Sequence, residues 1–318
     1  MKKFACVFPG QGSQSVGMLD AWGDHPAVAL VLQEASDALG QDIAKLIREG
    51  SKEELALTTN TQPVMLVAGV AAYRAWLHEG GALPSIVAGH SLGEYSALVA
   101  AGSLTLAQAV PLVRLRAMAM QDAVPVGVGA MAAILGMDST KVVTICDEVT
   151  SAFGMQSGET VEAANFNDPM QTVVAGSKAA VDKACEALKA AGAKRALFLP
   201  VSAPFHSSLM RPAAERLQEE LINITMLAPQ IPLLNNVDVA VEVDVLRIKD
   251  ALYRQAFGAV RWVESVQAMQ AQGVEAIVEC GPGKVLSGMT KRIAPELPLG
   301  SIFDLVSLQD FKNISQNS

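Results

Sequence analysis

The sequence predicts an α/β protein carrying an inserted ferredoxin-like (βαββαβ) unit, and three observations predict it. Short apolar runs that read as strands alternate with longer stretches of helical periodicity. One run, Ile86-Val87-Ala88, passes through Gly89-His90-Ser91-Leu92-Gly93 straight into a helical stretch over 92–101. Gly127 and Gly129 then mark a break in composition, after which the chain reads β-α-β-β-α-β. Its 318 residues suffice for a large domain with a smaller partner, and 51% apolar residues allow a sizeable core.

In chain order, Phe4-Ala5-Cys6-Val7-Phe8 is a strand closed by Pro9. Gly10-Gln11-Gly12-Ser13-Gln14-Ser15 begins like a dinucleotide fingerprint, but Ser15 stands where the third glycine belongs. A Gly-rich loop beside a sheet can instead offer backbone N–H groups. Residues 26–40 and 41–50 read as helices ending at glycines. Thr61-Gln62-Pro63 opens an amphipathic helix to Gly80, with Pro63 in its first turn. The pentapeptide at 89–93 is Gly-x-Ser-x-Gly, the pattern of a nucleophile elbow. Its glycines permit a sharp strand-to-helix turn that sets the Ser91 hydroxyl at a helix N-terminus. Free N–H groups there can hold a developing oxyanion.

Residues 104–124 form a second long helix. Two positions on a helix lie about 200° apart, so Arg114 and Arg116 face different ways. Arg116 continues the apolar row Ala109, Val113, Met120. An arginine there either snorkels or holds an anion, and the row by itself favours snorkelling. In the inserted unit, 131–137, 161–166, 172–175 and 196–201 read as strands, with Asn167-Asp168-Pro169 as the turn between the middle pair. Residues 139–149 and 178–191 read as helices, the second stopped by Gly192.

Only four histidines are present. His25, before a proline, and His78, beside Glu79, read as exposed. His90 adjoins Ser91, and its side chain should point away from it. His206 follows the last strand of the inserted unit in Pro204-Phe205-His206-Ser207, ahead of a helix over 210–222. It is the best candidate for a general base. Beyond it, 230–236 and 274–280 read as strands and 248–257 as a helix. Gly281-Pro282-Gly283-Lys284 is too short for a phosphate loop and reads as a turn into a helix. The polar tail after Gln309 should fray.

Composition narrows the function. A net charge of −8 argues against a general nucleic-acid binder. Cys6, Cys146, Cys185 and Cys280 are widely spaced, so neither a metal site nor a disulfide scaffold is indicated. The apolar run after Met1-Lys2-Lys3 ends at Pro9, too short for a signal-peptide core. Residues 95–113 carry no charge, but Gly102-Ser103 breaks them into two buried helices, not a membrane span. The protein is expected to be cytoplasmic, away from membranes.

A serine hydroxyl needs a base near neutral pH, and His206 can supply one. No standout acid lies between Ser91 and His206, where hydrolases of this elbow type carry one. A dyad with His206 held by a backbone carbonyl or an amide is more economical. The Leu92 N–H and the loop at Gln11 are the candidate oxyanion donors.

These motifs together resemble the malonyl-CoA:acyl-carrier-protein transacylase family. They are Phe8-Pro9-Gly10-Gln11-Gly12-Ser13-Gln14, Thr61-Gln62-Pro63 and Gly89-His90-Ser91-Leu92-Gly93-Glu94-Tyr95. The Arg116 helix, Gly129-Ala130-Met131, Asn165-Phe166-Asn167, Pro204-Phe205-His206-Ser207, Asn235-Asn236-Val237 and Gly281-Pro282-Gly283 complete them. The resemblance implies a hydrolase-like large α/β domain over 1–128 and 202–318, interrupted by the ferredoxin-like subdomain at 129–201. It implies that Ser91 carries a malonyl ester, that His206 is base and then acid, and that Arg116 pairs with the malonyl carboxylate. It implies that the Gln255 backbone carbonyl orients the histidine, and that Gln11 and Leu92 supply oxyanion N–H groups. Phe205, bulky beside the histidine, goes with malonyl over branched acyl groups. The expected partners are malonyl-CoA and acyl carrier protein, with no cofactor, metal or nucleic acid, and a monomeric state. Lys189, Lys194, Arg195, Lys291 and Arg292 are candidates for docking an acidic carrier. The alternatives are a trans-acting acyltransferase of a polyketide pathway and a Ser-His thioesterase or esterase.

Overall fold

The computed structural model describes residues 2–154, 156–201 and 203–316. It is a mixed α/β structure built on two sheets. In chain order the strands are β1 Phe4–Phe8, β2 Ile86–Gly89, β3 Gly129–Leu135, β4 Val161–Asp168 and β5 Gln171–Ser177. They continue with β6 Arg195–Phe198, β7 Leu233–Leu234, β8 Val241–Glu242, β9 Ala276–Cys280 and β10 Leu299–Ile302. The larger sheet runs β10-β9-β1-β2-β7-β8 and is parallel except for β8 at its edge. Parallel strands need crossover helices, which cover both faces, so β1, β2 and β9 are buried from end to end. Phe4, Cys6 and Phe8 pack into the core on one face, and Ala5 and Val7 into a second cluster with Trp262 on the other.

The long helix Thr58–His78 is buried nearly all round, from Thr61 to Ala72. The amphipathic reading is therefore corrected, because this helix lies between the sheet and the outer helices Pro26–Leu39 and Leu106–Asp122. It also begins at Thr58, which places Pro63 inside it and not in its first turn.

The smaller sheet has the order β4-β5-β3-β6, with every pair antiparallel. Helices Ser139–Phe153 and Lys178–Ala190 cover one face around Ala132, Ile134, Val142, Val174 and Val181. The other face presents Met131, Ala133, Val173 and Ala175 to the main core. Asn167 and Asp168 remain inside β4, so the expected turn there moves to Pro169 and Met170. β4 joins the two layers: Phe166 N donates to Val260 O and Val260 N donates to Ala164 O, both at 2.9 Å.

Three other expectations change. His25 is 7% exposed, not exposed, because it packs edge-on against the Trp22 and His78 rings at 5.6 and 5.2 Å. The strand expected over 230–236 shrinks to Leu233–Leu234, since Asn235 and Asn236 leave the sheet to bond elsewhere. The tail does not fray. Helix Leu305–Gln316 docks on the sheet, and Phe311, 0% exposed, meets Phe4 at 5.4 Å and Trp76 at 5.5 Å. Asn317 and Ser318 lie outside the described residues. Phe311→Ala is expected to cost about 3–5 kcal/mol in urea unfolding, the usual loss for a fully buried ring. A cost below about 1 kcal/mol would mean the tail helix is not part of the cooperative core.

Candidate active site

β2 ends at Gly89, the chain turns through His90 and Ser91, and helix Gly93–Ala100 begins. A Cβ on Gly89 would lie 1.9 Å from the Gly93 carbonyl carbon, and one on Gly93 would lie 2.0 Å from Phe8 O. Only glycine fits either place, which is why the turn can be so tight. Ser91 takes a left-handed conformation, φ +53°, rare for a residue with a side chain. Asn236 clamps it: its Oδ1 accepts from Ser91 N at 2.7 Å and its Nδ2 donates to Gly89 O at 2.6 Å.

Ser91 Oγ lies 2.6 Å from His206 Nε2. On the far side of the ring, Nδ1 faces the carbonyls of Gln255 at 2.9 Å and Gly258 at 3.1 Å. Carbonyls only accept, so the proton sits on Nδ1 and Nε2 is left to accept from the serine hydroxyl. Among the described residues no carboxylate bonds to this ring. Burial, reinforced by the Arg116 charge, pushes the His206 pKa down to about 3. The imidazole is therefore a neutral base throughout the ordinary pH range. A reaction that uses His206 as its base should therefore keep a level rate from pH 8 to pH 5 at saturating substrate, as followed by stopped flow. A fall centred near the ordinary histidine value of about 6.5 would contradict this. The same burial has a cost: the unfolded chain takes up that proton below about pH 6.5 and the folded chain does not, so stability falls as pH falls.

Arg116 is 2% exposed. Its Nη1 donates to Gln62 Oε1 at 2.8 Å, and its Nη2 donates to Gln255 Oε1 at 3.1 Å and reaches Ser91 Oγ at 3.3 Å. The guanidinium lies 5.5 Å from the centre of the Tyr95 ring. Among the described residues, no carboxylate stands within ion-pair distance of it. Snorkelling is excluded by this burial. A desolvated cation held by neutral partners is a site arranged for an incoming anion.

Ser91, His206 and Arg116 open onto one cavity of about 120 Å³, whose wall includes Gln11, Met131 and Phe205. Phe205 is 8% exposed. Gln11 also donates through Nε2 to Thr58 Oγ1 at 3.4 Å. Leu92 is the N-cap of the helix, and the amides after it, Gly93 N and Glu94 N, donate to His90 O at 2.9 Å and Ser91 O at 3.0 Å. His90 turns its Nε2 to Asn167 Oδ1 at 2.8 Å, so that nitrogen is engaged away from Ser91. Of the docking candidates, all five are exposed, and Arg292 is tied to Asp168 at 2.6 Å. The residues that sequence reasoning missed are Gln62, Glu94, Asn236 and Gly258. A glutamine beside Pro63 at the head of the apolar run Val64 to Ala72 was the available signal for Gln62. Glu94 and Asn236 gave none beyond their motifs.

Fold and site define an α/β acyltransferase. The chain belongs to the malonyl CoA-acyl carrier protein transacylase family, and the model of the acyl transferase domain matches residues 5–293. It is 50% identical over 309 residues to the malonyl CoA-acyl carrier protein transacylase of Salmonella typhimurium, covering 97% of this chain and 98% of that one. It is 44% identical over 305 residues to that of Bacillus subtilis, covering 96% and 94%. Among solved structures, the acyl-carrier-protein S-malonyltransferase of Burkholderia pseudomallei is 60% identical with a TM-score of 0.94, covering 98% and 99%. A malonyl-transacylase in complex with its type II polyketide acyl-carrier protein is 49% identical with a TM-score of 0.93, covering 96% and 98%.

Proposed function

We propose that this chain moves the malonyl group from malonyl-CoA to the phosphopantetheine thiol of acyl carrier protein, for fatty acid synthesis, through a malonyl ester on Ser91. One observation carries the reading: a buried arginine without a carboxylate partner lies 3.3 Å from the nucleophile. A hydrolase of neutral esters has no use for that cation. Support for the acyl carrier as partner comes from the names of the relatives.

In the first half-reaction Ser91 Oγ attacks the thioester carbonyl while His206 Nε2 takes the hydroxyl proton. The carbonyl electrons move onto oxygen, where the Leu92 and Gln11 N–H groups receive the charge. The intermediate collapses, the C–S bond breaks, and the CoA sulfur leaves with the proton from His206. In the second half the carrier thiol gives its proton to His206 and attacks the ester. The Ser91 oxygen leaves and recovers that proton. Arg116 holds the far carboxylate as a bidentate pair throughout, and the Gln255 carbonyl keeps the imidazole in the required tautomer. The reaction balances without a cofactor or metal, and the enzyme is read as a cytoplasmic monomer acting away from nucleic acid. No described helix is long and apolar enough to cross a membrane. The larger unit, 1–128 with 202–318, is read as hydrolase-like because the elbow follows a central parallel strand. The unit at 129–201 is read as ferredoxin-like from its strand order.

Intact-protein mass after mixing with malonyl-CoA tests the assignment. A single malonyl adduct should persist until phosphopantetheinylated carrier protein is added, then move to the carrier. Free malonate formed equally fast without carrier would instead identify a thioesterase. A polyketide carrier tested in parallel and accepted in place of the fatty-acid carrier would favour the polyketide reading.

Phe205 fills the space that an α-methyl would need. Phe205→Ala is expected to shrink the preference for malonyl over methylmalonyl by about tenfold, since one methyl is worth roughly 1–3 kcal/mol in a pocket. Competition between the two CoA esters, with unchanged malonyl acylation, measures it. An unaltered ratio would remove Phe205 from the selectivity filter.

A further inference from the structure

Arg116 reaches a carboxylate only through an amide. Gln255 Oε1 accepts from Arg116 Nη2 at 3.1 Å, and Gln255 Nε2 donates to Glu94 Oε2 at 3.0 Å and to Ser91 O at 3.0 Å. A guanidinium only donates and an ionised carboxylate only accepts, so the two charges fix the direction of the amide between them. Glu94 is 1% exposed, and its Oε2 also accepts from Asn236 N at 3.0 Å. Each charge favours the ionised form of the other. Glu94 and Gln255 are absent from the cavity wall, so the pair sits behind the guanidinium. None of the steps above uses Glu94.

We propose that Glu94 is a positioning residue that holds Arg116 through an amide-bridged charge pair and sets how tightly the guanidinium grips the carboxylate of the acyl donor. The inference rests on Arg116 being the carboxylate anchor. Glu94 offsets the buried cation while leaving its cavity side open, and the same negative charge repels an arriving carboxylate. The donor is therefore held less tightly than a lone buried arginine would hold it. Grip that is equal in the bound and reacting states does nothing for turnover, and a looser grip keeps stray anions from occupying the site.

Glu94→Gln tests the charge alone. Both hydrogen bonds of Glu94 end on one oxygen, so the glutamine carbonyl can accept both. The probe is monomethyl malonate, which carries one carboxylate beside an ester, titrated by calorimetry at pH 8. The variant should bind it about threefold to tenfold more tightly than wild type, the Coulomb effect of removing one charge roughly 10 Å away in a partly screened site. Binding of methyl acetate should not change. A merely structural role for Glu94 predicts weaker binding, and unchanged or weaker binding in folded Glu94→Gln overturns the proposal. Arg116→Ala separates the two ideas, because undiminished binding there would overturn the anchor reading itself.

Wild type supplies a second check that does not depend on a variant folding. Around the pair, burial pushes the Tyr95 hydroxyl up to about 12 and the His206 imidazole down to about 3, and burial also lowers His90. The Arg254 hydrogen bond holds Asp238 below its ordinary range. Burial pushes Glu94 up to about 7, so it alone among them changes charge between pH 8 and pH 6. Wild type should bind monomethyl malonate severalfold more tightly at pH 6 than at pH 8. No change, or weaker binding at pH 6, overturns the proposal.

Discussion

Ser91→Ala should leave no malonyl adduct after mixing with malonyl-CoA, and transfer to carrier protein should fall by about 10⁴-fold or more. The size of the loss follows from the mechanism. Without Oγ there is no covalent intermediate, and direct attack of the carrier thiol on CoA-bound malonyl would need both large substrates at one cavity of about 120 Å³. The fold should survive. Asn236 holds the elbow through the Ser91 backbone N–H, not through its hydroxyl, and alanine tolerates the φ of +53° no worse than serine does. An unchanged melting temperature with the adduct lost is the expected pair of results. A variant that kept a covalent malonyl group would place the nucleophile elsewhere.

Arg116→Ala should reverse substrate choice. Acylation by malonyl-CoA should fall by about 30-fold to several thousandfold, the range for removing one partner of a buried charge pair at about 2–5 kcal/mol. Acetyl-CoA, which has no carboxylate to anchor, should lose little, and its adduct should become the main one when the two donors compete. Arg116→Lys should rescue poorly, since an ammonium cannot hold Gln62, Gln255 and a carboxylate in one plane as the guanidinium fork does. Equal losses for both donors would mean that Arg116 supports the architecture of the site and does not select the acyl group. The two predictions are independent: the first removes the bond-forming atom, the second the means of recognition.

The expectations that held their place in the structure were those written in local chemistry. The elbow was legible because two glycines flank a serine between an apolar strand and a helix, and each glycine is required by a contact within a few residues or across one strand. The β-α-β-β-α-β order over 129–198 was legible because antiparallel strands and amphipathic helices leave their own periods in the sequence. Arg116 drew notice as a cation on an apolar row, although the row could not say whether it snorkelled.

What the sequence by itself determined is the inventory: which residues are candidates for nucleophile, base and cation, and where most strands and helices lie. Only the tertiary structure decided the partners. The carbonyls that set the His206 tautomer come from Gln255 and Gly258, the clamp on Ser91 from Asn236, and the counter-charge behind Arg116 from Glu94 through an amide. The tail was misjudged for the same reason, since Phe311 lies among polar neighbours in sequence but against Phe4 and Trp76 in space. Periodicity records which face of an element is buried. It does not record which distant group that face will meet, because that is fixed by the order in which strands stack, and backbone carbonyls and amides, which every residue carries, leave no mark in the sequence.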